Sequence, residues 1–335
     1  MTQGRPSMRG LRLSACLWLL IFVFIAVPAL AQPASQWPDR AVRIIVPLGA
    51  GGASDTLARH LANGFSQFAN GQPLIVENRP GGGGTIAATA AARAKPDGYT
   101  LFLTDITPNA VAHVLMPKLA YDPHTAFTPI LHVANFPGVL LIRPTLSYKT
   151  LAEYIAAAKQ QPGKFTYATA GVGNWTHLFM EDLNNRVGIR QVSVPYRSGA
   201  EIVTSLLRNE ADTAIMTVAT SLGQIREGKL RALAVTSTRP MPQLPDTPLT
   251  SQTVPGFSAG VWHGVAGPAG MDPALVTRIN SVFNQVLQLP AVRTAISESQ
   301  GADVVGGTPQ QFRAFIDSEL KRWPEVIKAA KITLE

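Results

Sequence analysis

Four segments hold the residues best placed for chemistry, and each leads into a helical pattern. The first is Pro47-Leu48-Gly49-Ala50-Gly51-Gly52-Ala53-Ser54-Asp55. Its glycines let the backbone turn sharply and approach a ligand closely. The N–H groups that open the following helix then face that ligand, with the positive end of the helix dipole behind them. This chemistry suits a carboxylate or a phosphate. The segment is not a Walker A loop, because Lys-Ser/Thr is missing, and not a full GxGxxG, because Ser54 takes the last glycine position. A plain tight turn, with Ser54 or Asp55 capping the helix, is an equal alternative.

The second segment, Glu77 to Thr85, carries four glycines at Gly81 to Gly84 and reads as a ligand loop, a hinge or a flexible surface loop. The third is Thr169-Ala170-Gly171-Val172-Gly173-Asn174, continuing through Trp175 and Thr176 to His177. Asn174 and Thr176 are short polar groups that cap helices or bond a ligand. His177 can contact an anion or be a satisfied structural residue. The fourth runs from Val194 to Ala200; Tyr196 offers an amphipathic wall, and Arg197 either pairs with a carboxylate or faces water.

Reactive groups are scarce. No GxSxG elbow, HExxH, EF-hand or CxxC occurs. One Cys forms no internal disulfide, and six scattered His lack zinc spacing. Neither a cofactor nor a metal is expected. Several anion-friendly helix starts without nucleophiles describe a binder.

The elements that must position these segments are α/β. Val42 to Val46, Leu74 to Val76 and Tyr99 to Leu103 read as strands. Between them, Leu57, Leu61, Phe65 and Phe68 recur at helical spacing, and Ile86 to Ala94 is an Ala-rich helix. The middle repeats the scheme: strands at Val139–Ile142, Phe165–Ala168, Ala214–Met216 and Leu230–Val235 alternate with helices. Arg239 to Gly256 carries five prolines and reads as a long irregular connection. Val261 to Ala266 is extended, and the tail is helical. Such alternation predicts parallel sheets with crossover helices, arranged in two lobes.

Composition agrees with a globular chain: 335 residues, 46% hydrophobic and 15% charged. The net charge of +8 comes with no Lys/Arg run, so nucleic acid is not an expected partner. Arg5, Arg9 and Arg12 precede an apolar run from Ala15 to Ala31 that ends in Ala29-Leu30-Ala31. This pattern predicts a secretory signal peptide, residues 1–31, cleaved after Ala31. Cys16 precedes the apolar stretch, so its lipoprotein-like surroundings predict no lipid.

Several motifs in order resemble the Bug family of extracytoplasmic solute receptors, which includes the TctC-type component of tripartite tricarboxylate transporters. They are Asp55-Thr56-Leu57-Ala58-Arg59 after Gly51-Gly52, Val76 to Gly81, Pro96 to Leu101, Gly171 to Leu178, Val194 to Gly199, Leu233 to Arg239 and Trp262 to Pro268. The likeness spans nearly all of the chain after Trp37. Two departures stand out: Gln252 near a position that often holds Glu, and Ala87-Ala88 where a Gly is common.

The resemblance implies a two-lobed type II periplasmic binding-protein fold with a cleft between lobes. Lobe 1 would be 32–138 plus 265–335 and lobe 2 would be 139–264, with Val139–Arg143 and Val261–Ala266 as crossing strands. It implies ligand contacts at Leu48 to Asp55, with Asp55 orienting the loop, and at Thr104, Asp105 and Thr107. In lobe 2 the contacts would be Thr169 to Asn174, His177, Tyr196, Met216 and Thr217. The implied function is a periplasmic, non-enzymatic, monomeric receptor for a small carboxylate. It would deliver to membrane transporter subunits or a sensor ectodomain. The rival expectation is a periplasmic hydrolase using Ser198 or Thr176 with His177.

Overall fold

The computed structural model describes residues 1–2, 36–116, 118–196 and 198–333. The expected signal peptide, with Cys16 and Ala31, lies outside the described residues, as does Arg197.

Among the described residues, ten strands follow in chain order: β1 (Val42–Val46), β2 (Leu74–Asn78), β3 (Thr100–Asp105), β4 (Phe127–Ile142), β5 (Thr166–Thr169), β6 (Val192–Pro195), β7 (Thr213–Thr217), β8 (Arg231–Val235), β9 (Gly260–Pro268) and β10 (Asp303–Val304). The helices are α1 (Ala53–Phe65), α2 (Thr85–Ala92), α3 (Ala112–Leu115), α4 (Leu151–Gln160), α5 (Trp175–Val187), α6 (Gly199–Leu207), α7 (Val218–Arg226), α8 (Thr250–Thr253), α9 (Pro273–Gln288), α10 (Pro290–Thr294) and α11 (Pro309–Ala329). The class is mixed α/β. Near-continuous apolar runs such as Val42–Val46 form strands covered by helices on both faces, as parallel sheets require.

One strand organises the whole. β4 is 16 residues long, and nearly all of it is buried. Its first part, Phe127 to Pro137, pairs antiparallel with β9. Its last part, Gly138 to Ile142, pairs antiparallel with β7 and β8. The first sheet therefore runs β2-β1-β3-β9-β4, with β10 on β4, and the second adds β7, β5 and β6 with β8. The strand expected at Val139–Ile142 is only the end of this element. β9 makes its whole ladder in the first sheet, against β3 and β4. The two connections meet where the Thr236 hydroxyl bonds Gly138 and the Ala259 carbonyl.

Helix faces fill the space against these sheets. Leu57, Leu61 and Phe65 on α1 and Ile279, Val282 and Phe283 on α9 share one apolar cluster with residues of β1, β3 and β4. Their 3- and 4-residue spacing puts them on one face. α11 closes the other side, with Phe312, Ile316 and Trp323 buried. Its Glu319 accepts hydrogen bonds from the indole N–H groups of Trp262 (3.0 Å) and Trp323 (2.9 Å). The helix starts with a reciprocal cap between Thr308 and Gln311, the arrangement that satisfies two orphan donors at once. The proline-rich connection from Arg239 to Gly256 contains one helical turn, α8, and β6, α7 and α10 were not marked by periodicity.

Gly264 in β9 lies under α11: a Cβ there would overlap the Phe312 ring and stand 2.9 Å from the Leu131 carbonyl oxygen. Gly264→Ala should cost about 2–3 kcal/mol, read as a lower urea midpoint with an unchanged slope.

Candidate functional site

Strand β1 ends into the first glycine loop. Gly51 adopts φ +81°, open to glycine without strain. Asp55, buried in the first turn of α1, draws the loop back: its Oδ2 accepts the Gly51 N–H (2.9 Å) and the Arg59 Nε–H (3.0 Å). The Arg59 hydrogen bond, against the cost of burial, holds this carboxyl below its ordinary range. Asn78 donates to the Leu48 carbonyl (3.0 Å) from the neighbouring strand. The first turn of α1 has Gly52 as its cap and no side chain on its leading N–H groups.

Ser54 turns inward. Its hydroxyl is 2.6 Å from Nε2 of His263 on β9. Burial, aided by nearby His132, pulls His263 down to about 3, so the ring is neutral at pH 7. Its Nδ1 is buried without a partner. Asp105 at the end of β3 stands directly opposite His263 in the ladder, so both side chains share one face. The Asp105 carboxylate accepts the Thr107 N–H (3.0 Å), and its backbone carbonyl accepts from Asn109 (3.0 Å). Burial pushes Asp105 up to about 7.

The second sheet presents its own helix starts. Asn174 caps α5, accepting the Thr176 N–H (3.1 Å) and hydroxyl (3.0 Å). The Thr176 oxygen accepts the Ala170 N–H (2.8 Å) and lies 3.0 Å from the Thr169 hydroxyl. Ser198 caps α6 through the Glu201 N–H (3.2 Å). Thr217 precedes α7 without capping it; its hydroxyl instead pairs with Thr220 (2.7 Å).

These starts of α1, α5, α6 and α7 enclose a cavity of about 290 Å³ at the carboxyl ends of β3 and β7. In open α/β sheets, ligands bind at that end of the strands. Of the expected contacts, the cavity brings together Leu48, Ala53, Ser54, Asp105, Thr107, Ala170, Asn174, Met216 and Thr217. Others stand apart from its lining. Gly49, Ala50, Gly51 and Gly52 form the exposed outer turn, and Asp55 sits behind it. Thr104 is buried with its hydroxyl unpartnered. Thr169 is buried behind Thr176, with Gly171, Val172 and Gly173 in the turn beyond. Tyr196 bonds the Thr169 carbonyl through its N–H (2.7 Å) and packs on the apolar cluster below.

His177 belongs to a different hollow, shared with Tyr167 and Glu181. Its Nδ1 accepts the Gly173 N–H (3.1 Å), and its ring stacks on Tyr167 at 6.0 Å. Thr176 is likewise committed to Asn174 and Thr169, so the expected nucleophile and base are engaged elsewhere.

Sequence reading missed several lining residues. Gly83 and Gly199 lie inside the marked segments, where the signal was present, and Thr176, read there as a cap or a ligand group, lines the cavity too. Phe136, Val261 and His263 arrive only through the pairing of β4 and β9. Among the described lining residues there is no Lys or Arg.

The same architecture is found in known proteins. Residues 57–332 match the family model described as "Tripartite tricarboxylate transporter family receptor". The chain belongs to this receptor family. Protein BugT of Bordetella pertussis is 36% identical over 92% of this chain and 95% of its own. The periplasmic binding protein BugD superposes with a TM-score of 0.73 at 31% identity, covering 89% of this chain and all of BugD. Two Rhodopseudomonas palustris proteins are as similar. One, solved with adipate, gives 0.76 at 30% identity over 89% of this chain and 99% of its own. The other, MatC with bound malate, gives 0.72 at 30% over 87% of this chain and all of its own. The receptor fold is thus that of periplasmic binding proteins, as the motif order implied.

The site carries a defined pH signature. Asp105 titrates at about 7 in the folded chain against an ordinary 3.8, so the folded state holds the extra proton. Its stabilisation is complete below pH 3.8 and is lost as pH rises through 7. His263, lowered to about 3 from 6.5, acts oppositely and weakens the fold as pH falls below 6.5. Wild type should therefore lose stability relative to Asp105→Asn as pH rises from 4 to 7. The slope should reach about 1.4 kcal/mol per pH unit, measured by urea unfolding at each pH.

Proposed function

We propose that this protein is a periplasmic solute-binding receptor that captures a small carboxylate and releases it, chemically unchanged, to a tripartite-tricarboxylate-type transporter or a sensor ectodomain. The observation that carries this reading is the convergence of four helix N-termini on one cavity without a lining Lys or Arg among the described residues. α1 and α7 open with N–H groups that no side chain caps. Such groups hold a carboxylate through backbone dipoles and need no buried countercharge. The adipate and malate of the two related receptors are carboxylates of fitting size.

In this reading the signal peptide is removed after Ala31 and the monomer works as two lobes, 32–138 plus 265–335 and 139–264. The ligand bridges them and stabilises the closed state. No chemistry is performed on it.

The test is thermal unfolding of residues 32–335 against a panel of mono-, di- and tricarboxylates, with hits titrated by calorimetry. A true ligand at about 100 times its Kd should add roughly 2.7 kcal/mol to stability. It should be recovered intact after long incubation. Consumption of the ligand, or silence across every carboxylate, would overturn the receptor reading.

A further inference from the structure

The cavity wall divides into two chemistries. Leu48, Ile106 and Phe136 come from the side of the first sheet, and Ile202 and Met216 from the side of the second, with Val261 at the junction. Ile106, Phe136, Ile202 and Met216 are almost wholly buried, so they form a fixed apolar surface. The polar side chains in the same wall mostly satisfy one another. Ser54 is bonded to His263, Thr217 to Thr220, and Thr176 to Asn174 and Thr169. What remains for a ligand is the set of N–H groups at the helix starts, with Asp105, Thr107 and the Asn174 amide. That set can bind carboxylate ends. It offers nothing along the apolar wall to a hydroxylated carbon chain, whose hydroxyls would lose water without replacement.

We infer that this receptor selects carboxylates with an unsubstituted apolar body, and discriminates against hydroxy acids of the same length. The inference rests on the receptor reading above and narrows its ligand class. A ligand hydroxyl held against Ile106, Phe136, Ile202 or Met216 gives up water and finds no polar partner in that part of the wall. The expected penalty is that of placing a hydroxyl in an apolar pocket, which limits discrimination to about ten- to hundredfold.

Calorimetry of residues 32–335 with matched pairs tests this: succinate against L-malate, and adipate against galactarate. The unsubstituted member of each pair should bind about ten- to hundredfold tighter. Ile202→Thr, which puts a hydroxyl in the apolar wall and shortens the side chain by one methyl, should narrow that ratio several-fold, with folding checked by its melting curve. Equal or tighter binding of the hydroxy acids would overturn the selectivity while leaving the receptor function standing. Failure of all four acids, with no other carboxylate bound in the wider panel, would instead remove the receptor reading itself. An unchanged ratio in a folded Ile202→Thr protein would show that the apolar wall does not set the preference.

Discussion

A single 16-residue strand is shared by both sheets, and most of the molecule is arranged around that constraint. The strand is buried on both faces nearly throughout, although Thr128, His132 and Asn135 interrupt its apolar residues. Because β4 changes partners between Pro137 and Gly138, the second connection must pass beside it. Thr236 meets that need with one hydroxyl that reaches Gly138 and Ala259. Phe136 at this junction lines the cavity, and its ring meets His263 edge-on at 5.1 Å. The floor of the site is therefore continuous with the joint between the sheets.

Anion recognition here depends on backbone geometry more than on charged side chains. Asp55 is the clearest example: a carboxylate in an anion site that acts by holding the glycine loop, with its charge taken up by Arg59 and the Gly51 N–H. Asp105, bonded by the Thr107 N–H, and His263, bonded to Ser54, have no countercharge like Arg59, and burial pushes both toward their neutral forms near pH 7. The local field is left to the helix dipoles.

Much of this was legible in the sequence. Runs such as Val42–Val46 and the spacing of Leu57, Leu61 and Phe65 fixed strand and helix because each follows from local pattern alone. The glycine loop and the Asn174 turn pointed to the cavity for the same reason. What could not be read came from long-range pairing. Ser54 and His263 are 209 residues apart, and only the β3–β9 ladder sets His263 opposite Asp105. Phe127 to Pro137 escaped notice as a strand because Pro129, His132, Asn135 and Pro137 interrupt its apolar run; shifts in register at the first two accommodate it. His177 was drawn toward the site by its neighbours, yet one helical turn carries it to another face.

The position of β9 also bears on how such a chain comes into being. The strand lies between β3 and β4, inside the first sheet, but it is the ninth in sequence of the ten among the described residues. During synthesis, β3 and β4 emerge with no neighbour for their facing edges until residues 260–268 arrive. Contacts of such long sequence separation form late and slowly. A growing chain thus cannot complete its first sheet until nearly four-fifths of it exists.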